Sequence, residues 1–280
     1  MNDDALRSIR ARYAAEAMVW ARREGIDNPR VEAAFAAVPR ENYLTPPPWR
    51  IFSPGGGIVD EDTSDPARLY QDVLVVLDKP KGINNGQPSL HAMWMAGIDP
   101  QPGETIVQIG IGAGYYSAIL AELVGEGGRV EAYEIEPHLA AIARGNLLSR
   151  PQVRVHAESA VGVELPPADI VYVSAGAAAP DPGWLRCLRE GGRLIMPWQP
   201  TPRDGRTLVV RRGPGGFAAR LYGHVGFVGC IGAEARDMRA RGMPGHPIGE
   251  TRSVWLTAQR PPDASATAVY DEVWFSADPV

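Results

Sequence analysis

The sequence has 280 residues, enough for one large domain or a domain with appendages, and its 45% of apolar residues can form a sizeable core. A net charge of −5 argues against a general affinity for nucleic acid. The polar start MNDDALRSIR does not resemble a signal peptide, and no apolar run approaches the about 18 residues of a membrane span. We therefore expect a cytoplasmic protein that does not contact a membrane.

Few residues suggest metal or nucleophilic chemistry. Cys187 and Cys230 stand in apolar contexts without metal-ligand spacing, so we expect buried free thiols in a reducing compartment. Neither a Ser/His/Asp or Cys/His set nor a metal-binding cluster is evident in the sequence. The reaction, if there is one, is expected to need no bound metal.

The N-terminal part predicts two helices and a loop. Apolar residues near helical spacing predict an amphipathic helix over residues 5–24, and Asn28 can cap a second helix over residues 29–38. The proline run at residues 46–48 cannot be helical. Residues 54–68, glycine-rich and then acidic, predict a surface loop.

Beyond the loop, strands alternate with helices. A short strand or turn is predicted at residues 74–77, and a helix from Pro88. The strands predicted after it lie at 105–109, 128–136, 153–156, 169–174 and 193–198, followed by an antiparallel pair at 207–212 and 217–228. Helices predicted between these strands lie at 115–123, 137–149 and 184–189. This order predicts an α/β fold: a Rossmann-like, doubly wound, mostly parallel sheet with an antiparallel edge hairpin, N-terminal helices and a C-terminal extension. VYDEVWF near the C-terminus is compatible with one more strand.

The chain is organised around the stretch ETIVQIGIGAGYYSAILAEL, residues 104–123. A short apolar strand is followed by Gly110, Gly112 and Gly114 and then by an alanine-rich helix. Strand, glycine turn and helix form the opening unit of a nucleotide-binding fold. Glycines at such a turn let the backbone approach a ligand closely.

The glycine spacing narrows the class of ligand. A dinucleotide fingerprint needs G-x-G-x-x-G, whereas this turn reads G-x-G-x-G and Tyr115 takes the place of the third glycine. The spacing favours an adenosyl ligand without pyrophosphate, such as S-adenosylmethionine, over the nicotinamide cofactor of a dehydrogenase. Glu134 ends the next strand about 20 residues past the turn, where a carboxylate can accept hydrogen bonds from ribose hydroxyls.

Residues 21–231 resemble the protein-L-isoaspartate O-methyltransferase family, of which this chain looks like an atypical member. The segments that carry the resemblance are VPRENY, LYQD, IGIGAGYYSAILAELVG, VEAYEIE, ADIVYVSAGA, LREGGRLIMP and VGFVG. The resemblance implies an S-adenosyl-L-methionine-dependent carboxyl O-methyltransferase, and the cofactor-binding residues that we expect on this basis are Gly110, Ile111, Gly112, Gly114, Tyr115, Glu134, Ile135, Glu158, Ser159 and Ala175. Of these, the glycines would line the methionine moiety, Glu134 would hold the ribose, and Glu158 and Ser159 would neighbour the adenine.

The chain departs from the family where the family contacts its substrate. Members of the family have a Thr-Ile-Ser-x-Pro segment there, and this chain has Asn84, Asn85 and Gly86 in place of threonine, isoleucine and serine. Asn85 and Gly86 are our candidate catalytic positions, and the candidate substrate-binding residues are Asn84, Gln87, Ser89 and His91. If the methyl acceptor were a hydroxyl, His91 would be the first candidate base. Gln108 also replaces an acidic residue that is common in the family.

A nicotinamide-dependent dehydrogenase is disfavoured by the glycine spacing, and two functions from different classes remain open beside it. The first is methyl transfer to a carboxylate of a protein or peptide, either isoaspartyl or a related acidic side chain, or to a different acceptor. The second is a non-catalytic binding module that keeps the fold. For the domains we expect an N-terminal helical and loop segment at 1–81, an S-adenosylmethionine-binding methyltransferase domain at 82–232 and a C-terminal extension at 233–280. Four arginines of the extension are expected to form a solvated surface, with contact to an acidic peptide or a carboxylate as the alternative: Arg236, Arg239, Arg241 and Arg252.

Overall fold

A computed structural model of the chain describes residues 3–54, 59–201, 204–233 and 246–280. The chain groups into two compact units, one of residues 1–104 and 111–158 and the other of residues 105–110 and 159–280. The predicted division at residues 81 and 232 is untested and stays a prediction. Among the residues that the structure describes, none of the helices combines the length and the hydrophobicity that a membrane span needs.

The described residues of the first unit form six α-helices. They are α1 (Asp3–Ala17), α2 (Val19–Arg23), α3 (Pro29–Ala37), α4 (Pro88–Ile98), α5 (Tyr115–Val124) and α6 (Pro137–Asn146). The single helix predicted at residues 5–24 is divided in two at Met18, which is fully buried. The predicted cap of α3 is confirmed, because the Asn28 side chain accepts a hydrogen bond from the backbone N–H of Val31 at 3.3 Å.

A small antiparallel sheet in the first unit corrects the predicted surface loop. Its strands are β1 (Trp49–Phe52), β2 (Asp60–Thr63), β3 (Leu74–Asp78) and β4 (Ile83–Asn84), in the order β2-β1-β3-β4. Strand β2 lies inside the segment predicted as a loop, of which residues 55–58 fall outside the described ranges. Its acidic sequence concealed an edge strand, whose Asp60 pairs with Arg50 of β1.

This small sheet packs onto the glycine turn and onto α6. Its apolar side chains share one cluster with Ala113 of the turn and Leu139 of α6; the sheet contributes Trp49, Ile51, Val75 and Leu77 to that cluster. The remaining strands of the first unit, β6 (Arg129–Tyr133) and β7 (Val153–His156), pair in parallel. Both lie within the predicted strand positions.

The second unit contains the parallel strands β5 (Thr105–Ile109), β8 (Ala168–Val173) and β9 (Leu188–Thr201), with the short helix α7 (Pro182–Arg186) between β8 and β9. The predicted hairpin follows as β10 (Asp204–Gly213) and β11 (Gly216–His224). The α/β fold class is confirmed. The antiparallel part is larger than the one predicted hairpin, because three more strands continue the sheet beyond β11.

These three strands come from the C-terminal extension: β12 (Ser253–Leu256), β13 (Ala266–Val269) and β14 (Val273–Ser276). From β11 outward the order is β11-β12-β14-β13, all antiparallel. VYDEVWF, expected as one strand, contains the turn between β13 and β14. Trp198 of β9 donates to the Tyr270 hydroxyl at 2.9 Å, so the extension shares a core with the sheet.

The remaining expectations for this part of the chain concern its arginines and its two cysteines. Arg236, Arg239 and Arg241 lie outside the described residues, whereas the backbone N–H of Arg252 pairs with Ser276. Cys187 and Cys230 are buried free thiols, as predicted. Burial raises the pKa of the Cys187 thiol to about 12, so it is protonated and unreactive at neutral pH.

Candidate cofactor and acceptor site

Three glycines turn the chain between β5 and α5 in left-handed conformations. Their φ angles are +76° at Gly110, +56° at Gly112 and +100° at Gly114. A β-carbon on Gly112 would lie 2.6 Å from Leu77 Cδ1, and one on Gly114 would lie 2.8 Å from Leu147 Cδ1. The left-handed backbone therefore favours glycine at all three positions, and the neighbouring leucine side chains leave little room for a β-carbon at Gly112 and Gly114.

The Gly114→Ala substitution is expected to lower the free energy of unfolding by about 2–4 kcal/mol, since backbone strain and overpacking against Leu147 each cost on the order of 1–3 kcal/mol. Gly103→Ala is the matched control, because Gly103 has a similar φ of +86° and a β-carbon there would meet nothing within 4 Å. Urea denaturation of both variants measures the difference. Equal destabilisation would show that Leu147 does not restrict the turn.

Glu134 lies directly against the glycine turn. Its Oε2 accepts a hydrogen bond from the backbone N–H of Gly112 at 2.7 Å, and its Oε1 accepts one from the backbone N–H of Glu136 at 3.0 Å. Each carboxylate oxygen has two acceptor positions, so each keeps one for a further donor. Two adjacent hydroxyls, as in ribose, match the two oxygens. An adenosyl ligand therefore fits this arrangement.

Burial sets the electrostatics of Glu134. The side chain is only 6% exposed, and its desolvation raises the pKa of the carboxyl group, while the two backbone N–H groups lower it in part. The carboxylate is thus held in place by the backbone of the turn at some cost in solvation. A ligand that donates two hydrogen bonds would offset that cost.

The other expected cofactor residues differ in their exposure. Ile135, beside Glu134, is 38% exposed and presents an apolar surface, whereas Ile111 is buried. Ala175 follows the end of β8, and its Cβ would lie 3.4 Å from a β-carbon on Gly110. The Ser159 hydroxyl accepts from the backbone N–H of Val161 at 3.1 Å.

Glu158 belongs to a small carboxylate–imidazole cluster. Its Oε1 lies 3.6 Å from His156 Nδ1, and His156 Nε2 lies 2.6 Å from Glu131 Oε2. The His156 ring also stacks on Tyr133, with ring centroids 4.4 Å apart. The exposed Glu158 side chain therefore stands beside an imidazole that β6 and its neighbour β7 hold in place.

Tyr115 departs from its expected place. Its ring is buried in the core, and its hydroxyl lies 3.1 Å from the hydroxyl of Tyr13. Burial raises its pKa well above the usual range. Any contact of Tyr115 with a cofactor is therefore left to its backbone, and two adjacent tyrosines could not be assigned separate roles from the sequence pattern alone.

Hydrogen bonds fix the first part of the candidate acceptor segment. Asn84 Oδ1 accepts from the backbone N–H of Gly86 at 2.9 Å, which closes a local turn. Asn85 Oδ1 accepts from Val75 N–H at 2.9 Å and from Arg40 Nη2 at 3.2 Å, so its amide group serves to anchor the segment to β3. Asn84 keeps its amide N–H₂ group for other contacts.

The second part of the segment is organised by Asp72. Its carboxylate accepts from Ser89 N–H at 2.8 Å, from Ser89 Oγ at 2.7 Å and from Gln87 Nε2 at 2.7 Å. These contacts cap the start of α4. The Gln87 and Ser89 side chains, both candidates for substrate binding, are thus already engaged in holding the helix.

His91 is buried, 1% exposed, and stacks on Tyr116 with ring centroids 3.7 Å apart. Burial, with the positive charge of Arg40, lowers its pKa to about 3. The imidazole is therefore neutral at physiological pH and a very weak base. This argues against the general-base role that a hydroxyl acceptor would have required.

Arg40 was not predicted as a site residue, yet it supports the acceptor segment. Its guanidinium is fully buried and donates to the carbonyl oxygens of Leu69 at 2.5 Å and Val73 at 2.8 Å, in addition to Asn85. The only signal in the sequence was the VPRENY segment itself. Among the described residues, no group of three or more His, Cys, Asp or Glu side chains could hold a metal ion.

Comparisons with known proteins support the fold and identify the family. Two solved structures share the fold: one of a protein-L-isoaspartate O-methyltransferase (TM-score 0.67, 22% identity, covering 87% of this chain and 73% of the other), and one of a putative enzyme of that name from Plasmodium falciparum (TM-score 0.62, 18% identity, covering 79% and 97%). The second is a complex with S-adenosyl-L-homocysteine.

The sequence comparisons are more specific. The protein-L-isoaspartate O-methyltransferase of Aeropyrum pernix is 34% identical over 222 residues, covering 75% of this chain and 76% of the relative. That of Methanopyrus kandleri is 31% identical over 214 residues, covering 73% and 84%. The model of the protein-L-isoaspartate(D-aspartate) O-methyltransferase family matches residues 63–235. With more than half of its length matched, the chain belongs to this family of S-adenosyl-L-methionine-dependent carboxyl methyltransferases.

Proposed function

We propose that this chain binds S-adenosyl-L-methionine at the glycine turn and methylates a carboxylate of a protein or peptide. The observation that carries the proposal is the contact between Glu134 and the backbone of Gly112. It sets a buried carboxylate, with an acceptor position left on each oxygen, at the turn where an adenosyl ligand would lie. Gly110, Gly112 and Gly114 would hold the methionine end of the ligand, and Glu134 its ribose.

The proposed chemistry makes modest demands on the protein. The bound ligand supplies an activated methyl group on a positively charged sulfur. A carboxylate acceptor, with a pKa of about 4, is already ionised at neutral pH and needs no general base. The task left to the chain is to hold the acceptor in line with the methyl group and to keep water out. A neutral His91 and a preformed segment at residues 84–86 suit that task.

The first candidate acceptor is an isoaspartyl residue in a protein, the substrate for which the relatives are named. A different carboxylate is the second candidate, and a specific observation favours it. Residue 86 is a glycine with φ of +78°, and a β-carbon there would lie 2.4 Å from His91 Nε2. The segment thus has neither the hydroxyl of the family's serine nor room for one.

Two measurements test the proposal. Saturating S-adenosylhomocysteine should raise the melting temperature by about 5 °C, because a ligand at 100 times its Kd stabilises by about 2.7 kcal/mol. Incubation with labelled S-adenosyl-L-methionine and an isoaspartyl peptide, or a peptide with other carboxylates, should yield base-labile methyl esters.

The outcomes separate the alternatives. No shift at millimolar S-adenosylhomocysteine would overturn cofactor binding at the turn. A shift without transfer to any carboxylate would favour the binding module. A cytoplasmic location accords with the two free cysteines and stays a prediction.

A further inference from the structure

Gly86 and His91 fit each other closely. A β-carbon on Gly86 would lie 2.4 Å from His91 Nε2 and 2.9 Å from Cδ2, which is closer than real β-carbons approach any atom. The imidazole cannot move aside easily, because it is buried and stacked on Tyr116 with an angle of 15° between the planes. As long as His91 is present, residue 86 has to be glycine.

This pair adjoins the glycine turn. Tyr116 stands two residues after Gly114 in the first turn of α5, and its hydroxyl donates to the carbonyl oxygen of Gly86 at 3.1 Å. Leu77, from the strand before β4, packs against Gly112. The segment at residues 84–86 is therefore bonded to the first turn of α5, which directly follows the glycine turn that would hold the methionine end of the cofactor. An acceptor of the methyl group has to bind near that end of the cofactor.

The left-handed backbone at Gly86 also sets the orientation of Asn84. The Gly86 N–H donates to Asn84 Oδ1, so the amide oxygen is used inside the turn and the N–H₂ group remains to donate outward. Asn85 contributes differently: Val75 and Arg40 occupy its amide oxygen, and its Nδ2 is buried without a hydrogen-bond partner. Both amides thus keep a spare donor, but that of Asn85 is enclosed, whereas Asn84 is half-buried and is the one that can reach a bound acceptor.

We infer that His91 determines acceptor specificity: it keeps residue 86 as a left-handed glycine, and that turn presents the Asn84 amide N–H₂ group to an oxygen of the acceptor carboxylate. His91 is a positioning residue in this arrangement, and Asn84 is the group that contacts the acceptor. The inference rests on the proposed function and gives it a recognition element, a neutral amide donor that selects carboxylates over hydroxyl acceptors.

Asn84→Asp is the decisive variant. An aspartate keeps the oxygen that accepts from Gly86 N–H, so the turn remains, but it removes the donor and brings a negative charge towards the acceptor. With an isoaspartyl hexapeptide, kcat/KM for the peptide should fall about 100-fold, as expected for a lost hydrogen bond to a charged group with added repulsion. The KM for S-adenosyl-L-methionine and the shift in melting temperature with S-adenosylhomocysteine should stay at wild-type values.

A double-mutant cycle tests the role of His91. Gly86→Ala should raise the peptide KM far more than the control Gly82→Ala, which has a similar φ of +67° and open space at its β-carbon. In the His91→Ala background, where the ring is gone, Gly86→Ala should raise the peptide KM no more than Gly82→Ala does. The cofactor KM is followed in every variant, because a merely structural role would move both constants together.

The outcomes distinguish this inference from the proposed function. If wild type methylates the peptide and Asn84→Asp does so with unchanged kcat/KM, the inference is wrong and the function stands. If Gly86→Ala raises the peptide KM equally with and without His91, the His91 ring does not restrict residue 86 to glycine. If wild type binds S-adenosylhomocysteine but methylates no carboxylate, the proposed function fails, and this recognition element fails with it.

Discussion

Glu134→Ala is expected to weaken the binding of S-adenosylhomocysteine by about 100-fold or more. Hydrogen bonds to a charged group contribute about 1.5–3 kcal/mol each, and two of them are lost together when the carboxylate is removed. Isothermal titration calorimetry with purified protein measures the change in Kd. The expected loss follows from the position of the carboxylate at Gly112, with one acceptor position left on each oxygen.

Two further variants serve as comparisons for Glu134→Ala. Glu134→Gln retains one acceptor oxygen and should bind with intermediate affinity. Glu122→Gln removes the same charge from a partly exposed carboxylate that pairs with Arg150, and it should bind as wild type does. If Glu134→Ala, folded by circular dichroism, binds S-adenosylhomocysteine as tightly as the control, the ribose does not lie at this carboxylate.

The electrostatics of Glu134 suggest that such variants remain folded. The pKa of this carboxyl group is raised in the folded chain, so its favourable contribution is fully present only below the unfolded pKa and is lost as the pH rises through the folded pKa. At neutral pH the buried charge therefore costs stability in the free protein. Removing it offsets part of the loss of the two backbone hydrogen bonds.

The nucleotide unit could be predicted from the sequence because its signals are local. The strand expected at residues 105–109 is Thr105–Ile109, and the one expected at 153–156 is Val153–His156. Glycine spacing, apolar runs and a carboxylate at a set distance all lie within about 30 residues, the span of one βαβ unit. Strand β2 escaped prediction because its acidic, exposed residues look like a loop until β1 pairs with them.

The acceptor side of the site could not be predicted in the same way. That a β-carbon at residue 86 would meet the imidazole of residue 91 depends on where α4 begins relative to the turn before it. The neutral state of His91 depends on burial, which the sequence does not report. The burial of Tyr115 could not be predicted for a similar reason: its partner Tyr13 is 102 positions away in the chain.

Arg40 is the second residue for which a large effect is expected, and its environment explains why the sequence concealed it. Arginine is almost never fully buried unless it is paired. Here the two Nη groups donate to the carbonyl oxygens of Leu69 and Val73 and to Asn85 Oδ1, whereas Nε has no hydrogen-bond partner. The central carbon lies 5.5 Å from the centroid of the Tyr115 ring. One side chain thus satisfies buried oxygens from the segment before β3 and from the acceptor segment.

Arg40→Met should lower the free energy of unfolding by about 3–5 kcal/mol, because methionine fills much of the volume but leaves these buried carbonyl oxygens without donors, each at about 1–3 kcal/mol before relaxation. Arg30→Met is the matched control: Arg30 also donates to two backbone carbonyl oxygens, of Pro100 and Leu123, but its side chain is 38% exposed and water can replace it there. Urea denaturation should show a loss of no more than about 1.5 kcal/mol for the control. Similar losses in both variants would mean that burial of the guanidinium is not what stabilises this part of the fold.

Since Arg40 also holds Asn85, the folded fraction of Arg40→Met should have a raised KM for the peptide acceptor. Its affinity for S-adenosylhomocysteine, which depends on the glycine turn and Glu134, should change little.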